Sequence, residues 1–456
     1  MRKKLLYPLL ASCLFACSDK DTSYEVVKND LRAPAYPLVT IDPYASAWSM
    51  SDNLYDSPVR HWTGKDFPLI GVVKVDGVSY RFMGTEELEM NAIVPTSQQG
   101  DWTGRYTTEK PAGDWTSAGY DDSKWKSDRG AFGTKENEPT AKTQWGTRNI
   151  WVRRMVNIDR DLTGIPVYLE FSNDDDAVFY INGVKIHGTG TTCNKNKVVK
   201  LPDEALAVLK QGDNIIAAEC INPVGNGLLD FGLQIPKHQE TVFGNTAVQT
   251  SADVQPMQTH YAFTCGDVDL KVTFTAPLFM KDLKLLSRPV NYLTYSVAAR
   301  DGKEHDVEVY FEASPRWALD QPYQQSASKG YEADGLLYLK SGSKEQNILA
   351  KQGDDLRIDW GYFYMVSGKE NTAYSIGNST ELRKNFVNGT LNSASLEGED
   401  SNGNMALVRS HGKVKNVTDK IMLGYDDIYS IQYFGTNLRP YWNSKGDRTI
   451  EAEMLA

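Results

Sequence analysis

Cysteine is scarce in this sequence. Its 456 residues hold five, two of them at Cys13 and Cys17 near the start. Cys193, Cys220 and Cys265 are too few for a disulfide framework. One bridge between Cys193 and Cys220, or buried thiols, are the readings left open. There is no CxxC and no Cys/His cluster, which argues against a structural zinc site. Positive charge is short as well. The formal net charge is −10 and the pI about 5.3, so nucleic acid and an anionic membrane surface are poor partners. No GxSxG elbow, HExxH or phosphate-binding glycine loop occurs. No repeat of fixed period is visible, which disfavours a solenoid or propeller. Convincing helices are few.

The N-terminus does carry a signal. Arg2, Lys3 and Lys4 precede a short apolar stretch, Leu5 to Phe15. That stretch is too short to span a bilayer and fits an export signal. It ends "LFAC" before "SDKD", and Ala16 with Cys17 resembles the lipobox of bacterial lipoproteins. The resemblance implies lipid on Cys17, with acyl chains as the only membrane attachment. A plain signal peptide with an incidental cysteine is the alternative. The expectation is an exported lipoprotein of the outer membrane, on its periplasmic face or the cell surface. Residues 1–17 are then the signal and 18–33 a polar tether.

Strand signals dominate the rest. "GVVKVDGVSYRFMG" alternates around Asp76-Gly77, "VFYINGVKI" around Asn182-Gly183, and "YSVAARDGKEHDVEVYF" around Asp301-Gly302, all hairpin cues. "PDEALAVLKQG" reads as one short helix and "KDLKLLSRP" as a turn or two. The predicted fold class is mainly β, sandwich or barrel, with few short helices. Aromatics make up 11% of the chain; they suit a β-rich core or a sugar-stacking surface. The segments expected are 34–100, 101–237, 238–443 and 444–456.

In the middle segment, "GDWTSAGYDDSKWKSDRGAFG", "NIWVRRMVNI", "LEFSNDDDAVFYINGVKI" and "LKQGDNIIAAECINPVGNGLLDFGLQI" resemble galactose-binding-like jelly rolls, accessory domains of glycosidases. Asp174, Asp175 and Asp176 invite a metal or ligand reading. Alternate side chains on an extended chain point to opposite faces, so at most two could converge. A structural calcium would need oxygens from further segments; the simpler reading is a solvated turn. No other cofactor is expected. Trp102, Trp115, Trp125, Trp145 and Trp151 could stack on sugar or fill the core, and several sit where the module keeps its core.

The flanks resemble the glutaminase A family. The residues that carry this are "PLVTIDPYASAWSMSDNLYDSPVRHWTGKDFPLIGVVKVDGVSYRFMG", "FTAPLFMKDLKLLSRPVNYLTYSVAARDGKEHDVEVYFEASPRWALD", "RIDWGYFYM" and "LGYDDIYSIQYFGTNLRPYWN". The jelly roll looks like an insertion seen in bacterial members, many from Bacteroidetes. The resemblance implies a β-supersandwich followed by a large helical domain of paired helices, like six-hairpin glycosidases. Some members hydrolyse glutamine to glutamate and ammonia; for lipoprotein members the architecture suggests sugar processing. Since the active site is expected to depend on that helical domain, no catalytic residue is carried over.

The carboxylate pairs Glu86/Glu87, Asp354/Asp355 and Asp426/Asp427 could serve glycoside hydrolysis only if brought together in a cleft, and most charged residues are solvated. Asp426 and Asp427, with Tyr441 and Trp442, sit in a family motif and are expected to form an interdomain rim with exposed apolar surface. His61 beside Trp62 is read first as a packing residue, second as a proton shuttle. Asn378, Asn388 and Asn416 lie in NxS/T patterns without expected consequence. The closing "NSKGDRTIEAEMLA" reads as a helix start capped by Asp447, with Ile450 and Met454 on one face. Two turns alone are marginal, so loose docking is expected, as the first helix of a domain beyond Ala456. The expected function is a non-catalytic amino-terminal portion of a glutaminase A-like hydrolase, its partner a helical domain. The alternative is a glycan-binding accessory lipoprotein.

Overall fold

The computed structural model describes residues 32–86, 90–137, 140–237, 241–353, 356–391 and 403–456. The signal, Cys17, most of the tether, Glu87, Asp354 and Asp355 lie outside the described residues.

Two bodies emerge, both built almost wholly of antiparallel strands. In the larger, an eight-stranded sheet runs in the order Val248–Gln255, Gln258–Cys265, Val268–Thr275, Val290–Ala299, Asn416–Asp426, Tyr362–Gly368, Leu336–Ser343, Ser326–Ala333. It faces a six-stranded sheet in which Leu69–Val75 and Val78–Met83 lie beside His305–Ala313, Asn404–Val414 and Thr372–Gly377. The first and third sequence segments therefore share one core, with Val73 and Phe82 packed in the same cluster as Phe263, Leu293, Phe311 and Leu407. Alternation produces this directly: Leu270, Val272 and Phe274 point inward while Asp269, Lys271 and Thr273 point out.

A buried ionic knot fastens the six-stranded sheet to the helix Ser379–Val387. Arg383 donates a fork to Glu312 at 2.7 and 2.8 Å. Tyr310 and Asn404 donate to the same carboxylate at 2.7 and 2.6 Å. Glu86 accepts the amides of Val242 and Phe243 at 2.8 and 2.9 Å and lies 3.8 Å from Arg383. The knot thus ties the start of the sandwich to its late strands. Asn378 caps this helix by accepting from the Glu381 amide; what reads as an NxS/T pattern is a helix start.

The smaller body is the jelly roll. One sheet orders Val184–Thr191, Asp176–Ile181, Gly212–Ile221, Asn149–Ile158, Trp102–Thr107 and Lys126–Gly130. The other centres on Leu228–Pro236 and Tyr168–Asp174, and Met90–Val94 joins it. Its core holds Phe171, Phe179, Phe231 and Ile216.

The turn chemistry holds at two of three cues. Asp76-Gly77 and Asn182-Gly183 both have positive φ, at 48° and 86° and at 47° and 92°, as a two-residue hairpin requires. Asp301-Gly302 is not a hairpin. The strand before it belongs to the eight-stranded sheet and the one after it to the six-stranded sheet. Asp301 instead accepts the Lys303 amide at 2.9 Å and faces His305 Nε2 at 3.0 Å, turning the chain between layers. Cys220 and Cys265 are buried thiols and Cys193 is exposed, so no Cys193–Cys220 bridge forms.

The last helix, Ile450–Leu455, is capped by Thr449, not Asp447. Thr449 sits directly before the first turn and accepts the Ala452 amide. The helix is firmly docked, contrary to expectation. Ile450 and Met454 are buried, Met454 packs where Gly424 leaves room for no Cβ, and Arg288 donates to the Glu453 carbonyl at 3.0 Å.

A candidate rim around Asp42 and Asp427

Three loops meet at one edge of the large sandwich. They are the turn at 41–45, the residues 359–361 entering Tyr362–Gly368, and those leaving Asn416–Asp426. Gly361 makes the meeting possible. Its φ is +72°, and a Cβ there would lie 2.1 Å from the Asp426 carbonyl oxygen, so any side chain would drive the loops apart. Aromatics then lock them. Tyr425 donates to the Trp360 carbonyl at 2.7 Å, and Trp360 Nε1 donates to the Tyr429 carbonyl at 3.0 Å. Tyr44 packs edge-on to Trp360 at 5.3 Å. The "DWG" and "YDD" stretches are thus two halves of one joint.

Inside it, Asp427 is 3% exposed. One carboxylate oxygen accepts from the Ser430 hydroxyl; the other is buried with no hydrogen-bond partner. Burial pushes the Asp427 carboxyl up to about 7, and Asp42 and Asp426 add repulsion. Asp42 accepts the amides of Tyr44 and Ala45 at 2.7 and 2.8 Å, yet burial raises it too. Tyr44 is raised by burial and by both carboxylates. Among the described residues neither Asp42 nor Asp427 has an ion pair. A carboxyl held near neutrality without a counter-ion can carry a proton to or from a neighbour.

Asp426 and Asp427 are bonded separately. Asp426 accepts the Ile428 amide at 3.1 Å, is raised by burial and feels Lys340 and Glu451. Asp427, just past the strand's end, has a different hydrogen-bond partner, Ser430, and feels both Asp42 and Asp426. The nearby carboxylates of Asp320 and Asp359 make a useful contrast. Lys351 reaches both at 3.1 Å, and Gln324 and Asn347 donate to Asp359 at 2.9 and 3.2 Å. That network is satisfied; the Asp427 site is not.

Beyond the joint a small hairpin, Ile431–Tyr433 and Thr436–Leu438, stands into solvent. Its turn is Phe434-Gly435, at φ 45° and 78°. A left-handed aromatic is costly, and asparagine or glycine usually holds that place. Phe434 is 92% exposed, and Tyr433 meets it edge-on at 4.5 Å. Ile431, Leu438 and Tyr441 are exposed as well, whereas Tyr425 and Trp442 are buried. The apolar surface expected between Tyr425 and Trp442 is therefore concentrated in the hairpin.

The remaining sequence candidates are placed elsewhere. Asp174 ends one strand and Asp176 begins the next, all three aspartates half-buried. Among the described residues no group of three His, Cys, Asp or Glu side chains is placed to hold a metal. The loop is organised by Asn173, which is fully buried. It donates to the Asp175 and Thr192 carbonyls and accepts from Asn194. Trp102, Trp145 and Trp151 are buried, and Trp102 donates to Asp230 at 3.0 Å. Trp115 and Trp125 are half-buried and pack on each other at 6.3 Å. His61 is fully buried. Its Nε2 faces the Pro43 carbonyl at 3.1 Å and its Nδ1 the Thr63 hydroxyl at 2.9 Å, the arrangement of a packed, satisfied histidine. Sequence reasoning missed Asp42 and Ser430; the only trace was the Asp-Pro step of "IDPYASA".

The mainly β architecture is that of a sandwich bearing an inserted second sandwich. Two family models match, both described as domains of unknown function: DUF4964 over residues 9–95 and DUF5127 over residues 257–455. Over 203 residues, 42% of this chain, the sequence is 29% identical to Glutaminase A of Aspergillus oryzae. The match spans 29% of that protein's length. Among solved structures, a glycosyl hydrolase family 2 member from Bacteroides cellulosilyticus overlaps 61% of this chain and 34% of its own, at 11% identity and TM-score 0.25. Beta-glucuronidase 2 of Bacteroides uniformis overlaps 62% and 31%, at 13% and 0.27. Both superpose too loosely to carry an argument. The sequence similarity supports a relation to a hydrolase family.

Proposed function

We propose that this chain is the non-catalytic β-portion of a glutaminase A-like hydrolase lipoprotein, scaffolding and presenting substrate to a helical catalytic domain. The observation that carries the reading is the exposed Phe434 hairpin beside the buried, unpaired Asp427. An apolar, aromatic projection of this kind marks an interaction surface, and a covering domain would leave Asp427 at the seam. Family activity then supplies the reaction classes, glutamine to glutamate and ammonia or glycosidase-like processing. The test is turnover of glutamine and of a panel of aryl glycosides by the full chain. No turnover is expected; turnover abolished by Asp427→Asn would overturn the scaffold reading and make Asp427 catalytic.

The glycan-binding reading rests on Trp62, 54% exposed, and on the half-buried Trp115–Trp125 pair. A glycan array with the full chain decides it: binding lost on Trp62→Ala or Trp115→Ala supports an accessory lectin. For the anchor, we propose lipidation at Cys17 and export to the outer membrane. Palmitate labelling should vanish in Cys17→Ser; labelling that persists would refute it.

A further inference from the structure

His305 begins the strand His305–Ala313 of the six-stranded sheet and is 5% exposed. Both of its ring nitrogens face carboxylate oxygens. Nδ1 lies 2.6 Å from Asp76, at the tip of the hairpin made by Leu69–Val75 and Val78–Met83. Nε2 lies 3.0 Å from Asp301, in the turn that brings the chain over from the eight-stranded sheet. A neutral imidazole has one N–H and can donate to only one of them. The two bonds together require the imidazolium. Asp76 first, then Asp301, hold His305 above its ordinary 6.5, and burial opposes them.

The surrounding charges decide which bond survives loss of the proton. Asp301 is already served. Its second oxygen pairs with Lys303 at 3.1 Å, and the oxygen that faces His305 also accepts the Lys303 amide at 2.9 Å. Among the described residues the only ion pair of Asp76 is with His305. Asp76 also accepts the Asp306 amide at 2.9 Å and feels Lys413 of the neighbouring strand. Asp267 acts on Lys303, and Glu304 and Asp306, on either side of His305, are exposed. The closer contact is the one to Asp76. A neutral His305 therefore keeps its Nδ1–H on Asp76. Its bare Nε2 then meets the Asp301 oxygen lone pair to lone pair, with no proton between them.

We propose that His305 is a proton-operated clip. Protonated, it ties the Asp76-Gly77 hairpin tip to the turn at 301–304; on losing its proton it releases the turn and keeps the hairpin. The sign follows from both kinds of partner. A histidine raised in the folded state contributes stability that is complete below its ordinary 6.5 and lost as pH climbs through its folded value. Asp76 is lowered first by its bond to His305, and Asp301 first by the Lys303 amide. Their contributions are complete above 3.8 and lost in acid. The clip is thus closed between 3.8 and 6.5 and opens once the pH passes the raised value of His305. The inference is independent of the Asp427 rim.

Long-range proton–nitrogen NMR of the six histidines in the full chain, from about pH 5 to 10, tests it. The His305 signal is assigned by its loss in His305→Gln. It should titrate above 6.5, with both ring nitrogens protonated on the acid side and Nδ1 alone on the alkaline side. Hydrogen exchange of the Lys303 amide, corrected for the intrinsic effect of pH, should speed up several-fold across the same midpoint. The Asp306 amide, bonded to Asp76, should show no such step. Asp301→Asn keeps an acceptor for the Lys303 amide and can donate to a neutral Nε2, so it should abolish the step and leave the turn protected. Asp301 is exposed, so this variant should melt as the wild type does. A midpoint at or below 6.5, an Nε2–H tautomer in alkali, or a Lys303 amide without a step would each overturn the proposal.

Discussion

Replacing Asp427 by asparagine should change how stability depends on pH, in a direction unusual for an aspartate. The carboxyl rises from an ordinary 3.8 to about 7 on folding, first through burial. A group raised in the folded state contributes stability that is complete below its unfolded value and lost as pH climbs through its folded value. Each pH unit between the two is worth about 1.4 kcal/mol, so the full contribution is ~4 kcal/mol. Roughly 3 kcal/mol of it should appear between pH 8 and pH 5. Asparagine keeps the shape and a hydrogen bond to Ser430, and has no charge to bury. The variant should therefore be more stable than wild type at pH 8, with the gap closing towards pH 5. Urea unfolding of both proteins at pH 5, 6, 7 and 8 reads this directly. Parallel stability profiles would refute the reasoning, for they would mean that Asp427 does not change its protonation on folding.

Arg383→Ala should cost about 3–5 kcal/mol, because it leaves the Glu312 carboxylate buried without its fork; an unchanged urea midpoint would contradict the knot. Gly361→Ala should cost at least about 2 kcal/mol, since it forces a side chain into a left-handed position and against the Asp426 carbonyl; thermal melting checks it. Phe434→Gly should leave stability unchanged or raise it by up to ~1 kcal/mol, as an L-residue gives up left-handed strain, while weakening capture of a helical partner in pull-downs. A large loss of stability would place Phe434 in the fold and not at an interface.

Much of the fold was legible because β-structure writes itself in period two. The Asp76-Gly77 and Asn182-Gly183 turns set two hairpins. Asp301-Gly302 shows where local pattern stops: the same dipeptide joins strands of different sheets, and only the layers decide which. The site was less legible. Asp426 and Asp427 stood out as a pair, but Asp42, far away in sequence, also acts on Asp427. The Asp174–Asp176 run drew the eye, while Asn173, one residue earlier, does the tying.

By itself the sequence determined the class, a mainly β chain with an inserted jelly roll, and its resemblance to glutaminase A. It did so because alternation, turn residues and motif spacing are local. The tertiary structure alone decided that the first and third segments share one core and that Gly361 lets two motifs interlock. It alone decided that Asp427 is buried with no ion pair among the described residues. Those properties depend on desolvation and on charges remote in the chain, and neither is encoded by neighbours in sequence.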